Sequence, residues 1–298
     1  MSLRGVYRIL RLPLFLTAVV DIVAGYTVAL LPRIERFDWT VAGLLAGTAS
    51  GLYLFGMVEN DVADVRRDRL LGVPRPLVTG DLGLGTAIVL MVLTAGLAAY
   101  CAARLGGGAV VLAFGAFAAI NLYNLWAKHG PAYVAMPSMG FCRLLNFGVG
   151  VTAAIGVPRE LDLAMFLPTG PHWVRMGVSL FFATMVVTGY SICARRGSTV
   201  STRPWLAAMV VTAIAGFAMI GLHSLSDAMQ VGGSTSHFTP PVARVVAALI
   251  LPLMWPGGLW GVAGMERKPA EYGPFIERML YWFILMDVAF VIDGMLIV

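Results

Sequence analysis

The segment Glu59-Asn60-Asp61-Val62-Ala63-Asp64-Val65-Arg66-Arg67-Asp68 gathers four carboxylates and an amide within ten residues. On a helix turning about 100° per residue, Asn60, Asp61, Asp64 and Asp68 share an arc of about 100°, while Val62, Val65 and Arg66 point elsewhere. Oxygen ligands on one face suit a hard cation such as Mg²⁺, with Asp61, Asp64 and Asp68 as its carboxylates. A solvated acidic turn neutralised by Arg66, Arg67 and Arg69 fits the charge pattern equally well. Asn60 favours the site, because a neutral amide on the acidic face ligates or orients but adds nothing to solubility.

The elements that must hold this segment are membrane helices. Apolar residues make up 59% of the 298 and charged residues 12%, about half the charged share of a soluble domain. A bilayer-crossing helix needs roughly 20 largely apolar residues. Nine such stretches can be drawn, at about 14–31, 40–58, 82–104, 107–126, 139–157, 174–194, 204–225, 242–262 and 278–297. The expected fold is therefore all-α, a single polytopic membrane domain over 1–298, with the acid-rich segment at one end of the second span. Arg4, Arg8 and Arg11 before an apolar run resemble a signal peptide, but Asp21 interrupts the run and further spans follow, so the first helix is read as retained.

Orientation follows from the loop cations. With the N-terminus inside, fourteen Lys and Arg fall on the cytosolic side and six on the other, and Arg143 lies within the fifth span. The N-terminus and the acid-rich segment are thus expected in the cytosol. Lipid and orientation account for the net charge of +5 without a nucleic-acid partner. Cys101, Cys142 and Cys193 lie singly in apolar spans, and the four histidines are scattered, so neither suggests a zinc site or a disulfide framework. Gly43, Gly47 and Gly51 put small residues on one face of the second span, where another helix of the chain can approach closely.

Other residues extend the candidate site. Arg143 lies inside an apolar helix with Asn146 on the same face, and an intramembrane arginine points by default to a polar cavity, snorkelling being the alternative. Lys128, one of two lysines, sits in a facing loop where phosphate contact is expected. Arg67 and Arg75 flank the acids. Asp21 either touches a substrate or pairs with an arginine, whereas Asp287 and Asp293 are read as structural.

These residues carry a resemblance. Asn60-Asp61-x-x-Asp64-x-x-x-Asp68 resembles the first aspartate-rich motif of the UbiA superfamily of intramembrane prenyltransferases, and Arg75-Pro76-Leu77-Val78-Thr79-Gly80 resembles the segment that follows it. Arg11-Leu12-Pro13 and Asp21 to Gly25 are similar to the family's opening helix. A narrower likeness, to the EboC branch, rests on Tyr123, Lys128-His129, Pro131 and Met139-Gly140-Phe141-Cys142-Arg143-Leu144-Leu145-Asn146. The resemblance implies a nine-helix bundle in a bacterial inner membrane. It also implies an Mg²⁺-dependent transfer from an isoprenyl diphosphate to an acceptor the sequence does not identify. Intramolecular cyclisation to a terpene is a variant, and a non-catalytic protein that binds or moves an isoprenoid or metabolite is the alternative.

One part of the family pattern is absent. The resemblance implies a second aspartate motif at the end of the sixth helix, where this chain has Gly189-Tyr190-Ser191-Ile192-Cys193-Ala194-Arg195-Arg196. Membrane anchoring and diphosphate binding are both open to these two arginines. If Arg195 and Arg196 grip the diphosphate bidentately in place of one metal, changing either to Gln should weaken prenyl-diphosphate binding about tenfold or more. The Mg²⁺ dependence should persist. Binding like wild type in both variants, with and without metal, would make them anchors.

Overall fold

A computed structural model describes residues 3–156 and 172–196, together with eight residues between 280 and 292. All its regular structure is helical. A short helix α1 (Leu3–Leu10) precedes α2 (Leu12–Leu30), and a 3₁₀ turn (Leu31–Arg36) leads to α3 (Trp39–Leu70). After the short α4 (Pro76–Thr79) come α5 (Leu84–Leu105), α6 (Gly107–Leu125), a 3₁₀ turn (Ala127–His129), α7 (Ala132–Ile155) and α8 (His172–Arg196). Among the described residues, five helices are long and apolar enough to cross a membrane. The seventh and eighth expected spans lie outside the described residues, as does most of the ninth.

Two boundaries differ from the sequence reading in ways that matter for the site. Helix α3 does not end where its apolar run ends. It continues to Leu70 as one helix of 32 residues, about 48 Å long against a hydrocarbon core of about 30 Å. The acid-rich segment is therefore a helical extension of α3 beyond its apolar run. Helix α7 begins at Ala132, not near 139, because Pro137 is accommodated inside it. Arg143 consequently lies about three turns from the helix start.

Between α1 and α2 the chain breaks at Arg11, whose φ of 46° and ψ of 46° are left-handed. Pro13, in the first turn of α2, has no N–H to extend the α1 ladder. Left-handed backbone costs a non-glycine residue about 1–2 kcal/mol. A small apolar cluster at this end, with Ile9 and Val58 both 0% exposed and Leu77, Leu82 and Ala87 around them, seats α1 and α4 on α3. Arg8 adds a hydrogen bond to the Pro74 carbonyl at 2.7 Å and an ion pair with Asp81 at 3.4 Å.

Deeper in the bundle, α3 packs chiefly on α5, α2 on α7, and α7 between α6 and α8. Small residues allow these approaches. A Cβ on Gly47 would lie 2.6 Å from Cys101 Sγ, and one on Gly51 would lie 2.6 Å from the Thr94 carbonyl. Gly43 faces open space, so two of the three glycines in the stripe serve packing within the chain. Gly150 is the tightest contact, its missing Cβ leaving room for the Ile22 carbonyl and the Tyr26 N–H of α2. Gly150→Ala should lower stability by roughly 1–3 kcal/mol through overpacking. Gly43→Ala should be neutral or raise it by up to about 1 kcal/mol. Thermal unfolding of the purified protein in detergent checks both, and equal behaviour of the two variants would refute the packing assignment.

Candidate functional site: a charged mouth above a membrane cavity

The α3 extension presents Asp61, Asp64 and Asp68 to neighbours that arrive from three separate elements. All three acids are buried, although they lie beyond the apolar run. A buried carboxylate needs a counter-charge, since losing its hydration costs several kcal/mol. Lys128, from the 3₁₀ turn after α6, places its ammonium 2.9 Å from Asp64 and donates to Asn60 Oδ1 at 2.9 Å. Its side chain is 0% exposed. Arg75, before α4, spans Asp61 at 3.8 Å and Asp68 at 3.6 Å. Arg11, at the α1–α2 break, donates to Asp61 at 3.3 Å. Burial, and then the nearby Arg75, pull the Arg11 guanidinium below its ordinary value, and Asp61 opposes them.

Arg67 and His129 also approach Asp64, at 3.9 and 3.6 Å. Arg66 and Arg69 are exposed and take no part, so apart from Arg67 the neutralising charges come from other segments. Arg11 was not among the residues the sequence singled out for the site. Its one signal was the break forced by Pro13, which turns a membrane-edge arginine back toward α3.

These groups surround the mouth of a cavity of about 350 Å³, large enough for a small-molecule site. Asn60, Asp64, Asp68, Arg67, Arg75 and Arg11 line it. Asp61 does not; at the edge of the acidic arc it faces Arg11, with 1% of its side chain exposed. Below the mouth the walls are largely apolar, with Leu14, Ala49, Leu52 and Ile120 among them. Arg143, Asn146 and Cys142 of α7 form another part of the lining, with Thr184, Thr188 and Ser191 of α8. Cys142, expected in the packed core, is thus a wall residue.

Arg143 does not snorkel. Its guanidinium pairs with Asp21 of α2 at 3.1 Å and donates to Thr17 at 2.6 Å, with Asp21 entirely buried. Arg143 thus lines the cavity, whereas Lys128, fully buried against Asp64 and Asn60, stands behind its wall. Asn124, which the sequence reading also passed over, donates to both the Gly56 carbonyl and Glu59 at 2.9 Å, fixing α6 to α3 just below the acids. Arg195 and Arg196 lie in the last turn of α8; their side chains, and Asp293, lie outside the described residues.

No three His, Cys, Asp or Glu side chains among the described residues form a ready metal-holding group, because cations separate the acids. The donor chemistry nevertheless fits a hard cation. Asp61 Oδ2 and Asp64 Oδ1 are buried without a hydrogen-bond donor, and Arg75 Nε is buried without an acceptor. Unsatisfied acid oxygens beside an unsatisfied guanidinium N–H suit a bound pair of opposite charges, a metal ion with an anion.

No family model matches the sequence, and no curated protein matches it. Solved structures do. A UbiA homologue from Aeropyrum pernix K1 superposes with a TM-score of 0.64 at 18% identity, over 93% of this chain and 96% of that one. A UbiA homologue from Archaeoglobus fulgidus bound to GPP and Mg²⁺ gives 0.63 at 16% identity, over 98% and 99%. A digeranylgeranylglyceryl phosphate synthase gives 0.62 at 13% identity, over 98% of each chain. The chain has the UbiA fold. At these identities the likeness establishes architecture, and function has to be argued from the site.

Replacing Lys128 with Met should destabilise the protein by up to about 3 kcal/mol, since it strips Asp64 of its buried partner but leaves Arg67 and His129. Adding Asp64→Asn should recover part of that loss. A double-mutant cycle in thermal unfolding reads the coupling, and additive losses would show that the pair is not coupled.

Proposed function

We propose that this UbiA-fold protein is an Mg²⁺-dependent intramembrane prenyltransferase of the EboC-like branch, acting on an isoprenyl diphosphate. One observation carries the reading: Asp64 Oδ1, buried without a hydrogen-bond donor, and Arg75 Nε, buried without a hydrogen-bond acceptor, lie at the mouth of a largely apolar cavity. The diphosphate belongs at the mouth, where Arg67, Arg75 and Arg11 supply cationic donors and Lys128 holds Asp64 from behind. The prenyl tail belongs against Leu14, Leu52 and Ile120. Asp64 and Asp68, with Asp61 behind them, would hold Mg²⁺, which neutralises charge developing on the departing diphosphate.

Residue types around the cavity assign the remaining work. The cations bind and orient the diphosphate, and the buried Asn124–Glu59 contact keeps the α3 extension in register with α6. The cation bias of the loops supports a cytosolic N-terminus, and α1 packs at the acid end of α3, so the mouth opens on the cytosolic side of a bacterial inner membrane.

A non-catalytic isoprenoid binder is favoured by one feature, the cation already matched to every acid of the motif. Geranyl diphosphate separates the two readings. A prenyltransferase should bind it in an Mg²⁺-dependent manner and release diphosphate, and Asp64→Asn and Asp68→Asn should each lower release at least about 100-fold, roughly 2.7 kcal/mol. Binding without any release, across a panel of acceptors, would establish the non-catalytic protein. Release without an acceptor would indicate cyclisation or hydrolysis.

A further inference from the structure

Asn146, on the cavity wall, is 6% exposed. Its amide nitrogen donates to the Ala18 carbonyl at 2.8 Å. That bond fixes which end of the amide is which, since a carbonyl accepts only from the nitrogen. Oδ1 is left buried with no donor among the described residues. A buried acceptor without a donor is unfavourable, so this wall is short of an O–H or N–H. A carboxylate cannot supply one.

The cation three residues away gives the same answer from charge. Arg143 lines the cavity beside Asn146, but Asp21 and Thr17 already engage it. Asp287 lies behind them, 0% exposed, with Asp21 and Arg143 as its charged neighbours. The Asp21 carboxyl is the one side-chain hydrogen-bond partner given to Asp287 among the described residues, so the two acids share a proton. One guanidinium thus faces two carboxylates. Even with a proton on one of them, the cluster is at most neutral. An anion entering the cavity at this level gains no net attraction, and it meets repulsion if both acids are ionised.

We infer that the Asn146–Arg143–Thr17 wall is the acceptor subsite and that it takes an uncharged, hydroxyl-bearing molecule in preference to a carboxylate. The inference rests on the prenyltransferase reading for the word acceptor; the binding preference itself stands apart from it. In the transfer, the hydroxyl oxygen bonds to the allylic carbon as that carbon's bond to diphosphate breaks. Diphosphate leaves with the electron pair, and the hydroxyl proton passes to it. Hydroxyl recognition gives strong discrimination, because an analogue lacking the group leaves Asn146 unpaired.

Three matched probes test this with the full-length protein in detergent and without diphosphate: 4-hydroxybenzyl alcohol, its dimethyl ether and 4-hydroxybenzoate. The alcohol should bind at least about tenfold more tightly than either of the others. Asn146→Ala should erase its advantage over the ether, and the double variant Asp21→Asn with Asp287→Asn, which leaves Arg143 without a carboxylate, should narrow its advantage over the benzoate. The wild-type comparison needs no variant to fold. Equal binding of alcohol and ether, equal or tighter binding of benzoate, or binding of none of the three would each overturn the inference. Geranyl diphosphate binding with Mg²⁺ is measured in parallel. Its failure would count against the prenyltransferase reading and leave the probe preference to be judged on its own.

Discussion

A carboxylate taken out of water costs several kcal/mol unless a counter-charge meets it, and α3 brings three of them into burial on one helical arc. Arg67 is the only one of the neighbouring arginines on that helix to reach them, and only at 3.9 Å. The other cations come from elsewhere: Arg11 from the α1–α2 break, Arg75 from the segment before α4, and Lys128 from the turn after α6. Much of this end of the fold follows from that demand. The left-handed backbone at Arg11 and the Arg8 contacts to Pro74 and Asp81 hold those cations where the acids need them.

Deeper in the bundle the same rule operates with different members. Arg143 enters the bundle interior only because Asp21 and Thr17 receive it, and α2 and α7 approach closely enough for this because Gly150 has no side chain. The cavity therefore has two polar levels separated by apolar wall. The upper is rich in cations and has orphaned acid oxygens, which suits a metal with a diphosphate. At the lower, positive charge is already matched and an amide oxygen wants a donor, which suits a neutral partner.

The acid face was legible in the sequence because its geometry is local, with four residues on one arc of one helix. Among the described residues, helix positions were legible from apolar runs, apart from the end of α3 and the start of α7. What escaped the sequence depends on contacts between elements. The apolar run stops near residue 58, so nothing in composition says that α3 runs straight on to Leu70. The apolar run begins near residue 139, so composition does not show that α7 starts at Ala132 and runs through Pro137; a proline is tolerated once packing compensates the lost hydrogen bond. Arg11 looked like an orientation charge because its role depends on a backbone break that turns it toward Asp61, 50 residues further along the chain. Asp61 appeared to be a wall residue, and its position at the edge of the arc turns it instead toward Arg11.

The central claim is that the cation-clamped acids at the α3 end receive a metal and a diphosphate together. Mn²⁺ in place of Mg²⁺ makes the metal visible by anomalous scattering in crystals grown with a non-hydrolysable geranyl diphosphate analogue. The account predicts a Mn²⁺ peak against the Asp64 and Asp68 carboxylates, with the diphosphate beside Arg75, and a much weaker peak when the analogue is omitted. Analogue bound in the cavity with no metal at these acids, or metal bound remote from them, would contradict it.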